Sequence, residues 1–199
     1  MSIRFGKSAV RTKLRRMLLP AVALLTLSLS GVQSSFADGA TVFNAVSGNP
    51  PAPKLKLLDM DGHAVNLEKL RGRPVLINFW ATWCPPCRKE MPSLQRLWKK
   101  LGNSGLQIVA VNVAEDEDTI LGFIGTLDDV PTFPILFDKD SAVMRAWPVK
   151  GMPTTFLVNK DGRIVYRAIG GRDFDSPESL RVIKKLLADQ NATRGTAEN

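Results

Sequence analysis

The residues best suited to covalent chemistry stand together at Trp83-Cys84-Pro85-Pro86-Cys87, which holds both cysteines of the 199-residue chain. Two thiols at this spacing serve four kinds of chemistry. Haem attachment requires a histidine directly after the second cysteine, and Arg88 occupies that position. A structural zinc site requires about four ligands, against two cysteines and one histidine, His63, in the whole chain. Both are disfavoured within one chain. Copper held by two thiolates stays open, with His63 as the only histidine available to it. Reversible exchange between a dithiol and a disulfide needs only the pair, an activating environment and a docking surface, and is favoured. A disulfide closing a single helical turn constrains the unfolded chain little, so these cysteines are read as reactive rather than architectural.

The elements around the pair are those that would position it. Val75-Leu76-Ile77-Asn78-Phe79-Trp80 is a continuous apolar run of strand length, which implies a strand covered on both faces. Residues 88–101 follow as a helix, with Met91, Leu94, Leu97, Trp98 and Leu101 repeating at three- and four-residue intervals. A strand feeding a helix places the cysteines at the helix N-terminus, where backbone N–H groups and the helix dipole stabilise a thiolate. Pro92 is expected to kink this helix. Residues 108–113 supply a second buried strand, completing a strand–helix–strand unit with parallel strands and a right-handed crossover.

The remaining pattern extends this α/β arrangement. Residues 55–58 and 64–67 flank Asp59-Met60-Asp61-Gly62 as a small hairpin; His63 at its turn reads as a solvated residue with no second ligand beside it. Residues 116–127 fit an amphipathic helix with Ile120, Leu121, Phe123, Ile124 and Leu127 facing inward. Residues 133–137 read as a strand, 141–147 as a short helix, and 154–158 and 163–169 as strands joined through Asn159-Lys160-Asp161-Gly162. Ser176 and Pro177 begin the last helix as N-cap and first residue, with Leu180, Ile183 and Leu187 on one face.

The formal net charge of +8 does not indicate a nucleic-acid partner. Residues 1–37 carry six basic side chains and no acid, and without them 21 basic residues face 19 acidic ones, a net of +2. The same segment has a basic start and an apolar stretch of about 13 residues, short of the roughly 20 that span a bilayer. It ends in Ser35-Phe36-Ala37, which suits signal peptidase. Residues 1–37 are therefore expected to be a signal peptide, with an uncleaved anchor as the competing reading. Residues 38–52 read as a linker, 53–189 as the domain, and 190–199 as a disordered tail.

Phe79-Trp80-Ala81-Thr82-Trp83-Cys84-Pro85-Pro86-Cys87 resembles the active-site segment of thioredoxin-fold proteins, most closely the exported thiol:disulfide oxidoreductases of the TlpA, ResA and CcmG group. Residues 53–59 and 70–75 resemble the group's N-terminal hairpin, residues 116–147 its helix–strand insertion, and Gly151-Met152-Pro153-Thr154-Thr155-Phe156 its cis-proline loop. The resemblance implies a thioredoxin-like fold, a central mixed sheet flanked by helices. It implies Cys84 as exposed nucleophile and Cys87 as the more buried resolving thiol. Asn78 stands where thioredoxin proper has a buried aspartate, so proton handling would fall to Glu90. Trp83, Pro85, Pro86, Met152, Pro153 and Thr154 would meet the partner.

The resemblance further implies a periplasmic reductase without cofactor, expected to be a monomer. A membrane thiol donor of the DsbD/CcdA type would keep it reduced, and its protein substrates would be apocytochrome c or a copper-centre protein. A disulfide oxidant, or a Cu(I) metallochaperone using the same cysteines, are the alternatives. The metallochaperone is disfavoured because no histidine occurs late in the chain.

Overall fold

The computed structural model describes residues 42–194, in the order β1 (Asn44–Ala45), β2 (Lys56–Leu58), β3 (Ala64–Asn66), β4 (Val75–Trp80), α1 (Pro85–Leu101), β5 (Gln107–Val113), α2 (Glu117–Ile124), β6 (Ile135–Asp138), α3 (Ala142–Ala146), β7 (Thr154–Val158), β8 (Ile164–Ile169) and α4 (Pro177–Arg194). The expected signal segment lies outside the described residues. Six strands form one sheet in the order β1-β8-β7-β4-β5-β6, and β2 pairs with β3 in a separate hairpin. β4, β5 and β6 run parallel, whereas β7, β8 and β1 pair antiparallel. This is the thioredoxin-like mixed sheet.

Strand alternation divides the core. Successive side chains point to opposite faces, so Val75, Ile77 and Phe79 join one apolar cluster while Leu76 and Trp80 join the other. Asn78 shares parity with Leu76 and Trp80, which turns it under α1. α1 buries Cys87, Met91, Leu94, Leu97 and Leu101 against that face, and Ile183 and Leu187 of α4 complete the cluster. On the opposite face the rings of Phe79, Trp147 and Phe156 lie 5.2–6.1 Å apart between centroids. Each such pair contributes about 0.5–1.5 kcal/mol beyond its burial, and Trp147 thereby anchors the loop that leads to β7.

Several expectations need correction. The segment read as a linker is partly sheet: β1 pairs with β8, Phe43 is buried, and Ala52 donates to the Gly162 carbonyl. Its glycines and prolines hide one aromatic anchor and a short strand that covers the edge of β8. The helix after the cysteines begins three residues early, at Pro85, because proline at a first helical position has no N–H to leave unpaired. Pro92 lies within this helix, which is one element from Pro85 to Leu101. Leu121 is 44% exposed rather than inward. Pro134 shifts the start of β6 to Ile135, although Phe133 is still buried. α4 runs on to Arg194, into the stretch read as a disordered tail. Among the described residues no helix is long and apolar enough to cross a membrane.

Candidate active site

Cys84 and Cys87 form a disulfide with Cα atoms 5.3 Å apart. Cys84 is the N-cap of α1 and makes no side-chain capping bond, while Pro85 and Pro86 occupy the first two helical positions. The prolines remove two of the four donors that a helix start leaves unpaired. Cys84 is less open than expected, at 4% exposure, but Cys87 has none. Cys84 is reachable because it lines a depression of about 620 Å³, formed with Trp83, Pro85 and Pro86 on one element and Val149, Gly151 and Met152 on another. Trp83 is 64% exposed beside it, whereas Trp80 belongs wholly to the core.

The loop before β7 carries a cis Met152–Pro153 peptide. Gly170 donates to the Pro153 carbonyl at 2.8 Å, which ties this loop to β8. Thr154, expected among the partner contacts, is fully buried, and its hydroxyl donates to the Gly151 carbonyl at 2.6 Å. Thr154 therefore shapes the loop from behind. Pro153 is also buried, and Met152 is the loop side chain that reaches the depression.

Beneath the pair lies a buried polar network. Glu90 follows Cys87 by three residues and so shares its helix face; it is 2% exposed. Asn78 Nδ2 donates to Glu90 Oε1 at 2.7 Å and to Thr155 Oγ1 at 2.9 Å. Asn78 and Thr155 are direct cross-strand partners. The Arg172 backbone N–H donates to Glu90 Oε2 at 3.1 Å. Burial pushes the Glu90 carboxyl up to about 8, against the opposing effects of Asn78 and Arg172. It is thus mostly protonated at neutral pH and ready to trade a proton near it. Asn78 Oδ1 has no partner among the described residues; rotating the amide would offer that oxygen to a protonated Glu90.

Two contributors escaped sequence reasoning. Arg172 reaches Glu90 across 82 residues. Its one sequence signal was the preceding Gly170-Gly171, since a Cβ at Gly171 would stand 3.0 Å from the Pro86 carbonyl oxygen. The second is Glu115, whose carboxylate accepts from the Thr82 backbone N–H at 2.8 Å, from the Thr82 hydroxyl, and from Asn112 Nδ2 at 2.7 Å. It pins the turn that delivers Trp83 and Cys84. Ala114, just before it, has φ +61°, a left-handed conformation that costs a non-glycine residue roughly 1–2 kcal/mol. No periodicity in the sequence announces this contact.

His63 is not isolated from other ligand types as expected. Its Nδ1 lies 3.6 Å from the Asp59 carboxylate, and ligand atoms of Asp59, Asp61 and His63 lie within 4.8 Å of one another. The cysteines take no part in that group.

Comparison with known proteins agrees with this geometry. The Redoxin family model matches residues 46–183. The thiol-disulfide oxidoreductase ResA of Bacillus subtilis (strain 168) is 38% identical over 136 residues, covering 65% of this chain and 75% of that protein. ResA of Bacillus thuringiensis (strain Al Hakam) is 33% identical over 178 residues, covering 87% of this chain and 98% of its own. Among solved structures, a thiol:disulfide interchange protein of the thioredoxin family from Chlorobium tepidum TLS superposes with a TM-score of 0.59 at 28% identity, over 72% of this chain and 99% of that one. The chain belongs to the Redoxin family and, within it, is a thiol:disulfide oxidoreductase.

Proposed function

We propose that the chain is an exported reductase of protein disulfides, with Cys84 as nucleophile and Cys87 as resolving thiol. The observation that carries this reading is the unequal setting of the two sulfurs: Cys84 borders a recess, and Cys87 lies sealed above a carboxyl group that titrates near 8.

The exchange proceeds in two balanced displacements. The Cys84 thiolate, stabilised at the start of α1, attacks one sulfur of the partner's disulfide. That bond breaks, the second partner sulfur leaves as a thiolate and takes a proton, and Cys84 is held in a mixed disulfide. Cys87 then yields its proton to the Glu90 carboxylate and attacks Cys84 Sγ. The first partner sulfur leaves and is protonated. The partner has gained two electrons and two protons, and Cys84–Cys87 is oxidised.

When a thiol donor reopens that disulfide, Cys87 departs as a thiolate and the neutral Glu90 returns the proton. A buried carboxyl with its pKa near the working pH serves both directions. Trp83, Pro85, Pro86 and Met152 supply the surface the partner meets, and Pro153 and Thr154 hold its rim. No cofactor is required. The resemblance to the TlpA, ResA and CcmG group supports a membrane thiol donor of the DsbD/CcdA type, and apocytochrome c or a copper-centre protein as substrate. The leader supports a periplasmic location.

The test is covalent trapping. Cys87→Ser should accumulate mixed disulfides on Cys84 when produced in the native host, and mass spectrometry of the adducts identifies the partner. An absence of adducts, together with tight Cu(I) binding and no disulfide reduction by the pre-reduced wild type, would establish the copper carrier instead.

A further inference from the structure

Resting on that reading of the cysteine pair, we infer that the redox face selects protein disulfides flanked by acidic side chains, engaged by Arg88 and Lys89 at the start of α1 and by Lys150 on the loop before β7. The five cations of α1 fall into two groups. Arg96 binds Asp175 through two hydrogen bonds of 2.8 and 3.0 Å, Lys99 reaches both oxygens of Asp129 at 2.8 Å, and Lys100 reaches Asp175 at 2.9 Å. Arg88 and Lys89, both exposed, have no carboxylate partner among the described residues, and neither has Lys150.

Their placement does nothing for the helix. A cation beside the positive end of the dipole is unfavourable, and α1 has no acid in its first turn to offset it. Beside the pair, the cations rim apolar recesses. Lys150 lines the depression of about 620 Å³ that holds Cys84, Trp83 and Met152. Arg88 and Lys89 line a second one of about 380 Å³ with Phe123 and Leu127, and Pro85 belongs to both. The Arg88 guanidinium lies 5.4 Å from the Phe123 ring centroid, which holds it at that rim.

An extended segment with apolar side chains for the floors and carboxylates for the rims matches this surface. Of the acids at the same end of the sheet, Asp173 lines a smaller recess with Lys89 and Pro86 and lies 3.8 Å from Arg96, and those around the start of α2 are engaged there. Glu115 is bound by Thr82 and Asn112, Asp116 caps α2, and Glu117 and Asp118 sit in the first turn of α2, where its dipole favours them. None of them lines either of the two larger recesses.

Two synthetic peptide disulfides, identical except for Asp or Lys on each side of the cysteines, separate recognition from chemistry. Reduction by the pre-reduced full chain is followed at limiting enzyme, and each rate is divided by that with 2-mercaptoethanol to remove the peptide's intrinsic reactivity. The acidic peptide should be favoured by about tenfold at low ionic strength, and the ratio should fall toward one at about 0.5 M salt. Replacing Arg88, Lys89 and Lys150 together by glutamine should bring it to within about twofold; a change in Cys84 acidity affects both peptides alike and cancels. A wild-type ratio near one, a preference for the basic peptide, or a salt-independent ratio would overturn the inference while leaving the reductase intact. Failure to reduce either peptide would overturn the reductase reading and this inference with it.

Discussion

Two helices start at the same end of the sheet, after neighbouring parallel strands, and their first turns are built in opposite ways. α2 begins conventionally: the Asp116 carboxylate accepts from the Thr119 backbone N–H at 2.8 Å, and Glu117 and Asp118 follow at the positive end of the dipole. α1 begins with a cysteine that makes no capping bond, two prolines, no acid, and then Arg88 and Lys89. The first arrangement stabilises its helix. The second leaves the dipole and nearby positive charge for a sulfur that must carry negative charge, and the fold supplies the missing support elsewhere, through the buried face of α1 and the ion pairs of its distal half.

Substitutions at the two starts should therefore fail differently. The largest effect is expected at α1, where Cys84→Ser removes the attacking sulfur and should abolish disulfide reduction, measured with an insulin-type turbidity assay, while the fold remains intact by circular dichroism. Glu90→Gln should slow the second displacement and remove the limb of the pH–rate profile centred near 8. The same variant should also change the pH dependence of stability. Folded Glu90 keeps its proton up to about 8, while an unfolded chain releases it near 4.5. Within that window the folded state binds more protons, so stability falls as pH rises, by up to about 5 kcal/mol in all, and is level above it. Denaturant titrations of wild type across the window should show this slope, and those of Glu90→Gln should lack it. The smallest effect is expected at α2. Asp116→Ala should remove the cap and lower Tm by roughly 2–4 °C for a chain of this size, with no change in exchange rate. A loss of exchange in Asp116→Ala, or of stability alone in Glu90→Gln, would remove the contrast between the two helix starts.

How much of this was legible in the sequence follows from the range of the interactions. β4 and β7 were readable to the residue, because each is a buried run ended by a turn or a proline. The cysteine pair was legible from its spacing, whereas Asn78 and Glu90 were singled out by the resemblance to the TlpA, ResA and CcmG group; strand parity and helix spacing explain why they meet in the fold. Thr154 was misassigned because a motif identifies a loop without saying which of its side chains face inward. Phe43 and β1 were missed because two paired residues in a stretch rich in glycine and proline produce no periodicity. Glu115 and Arg172 act on the site across 33 and 82 residues, and only the folded chain brings them there. Leu121 was placed inward because a short helix offers too few turns to fix its buried stripe.

Whether this pair donates electrons to partner disulfides is decided by its midpoint potential, read from an equilibrium redox titration of Cys84–Cys87. A reductase should show a midpoint close to thioredoxin's, about −270 mV; a midpoint near −120 mV, about that of strong disulfide oxidants, would make the protein a donor of disulfides instead.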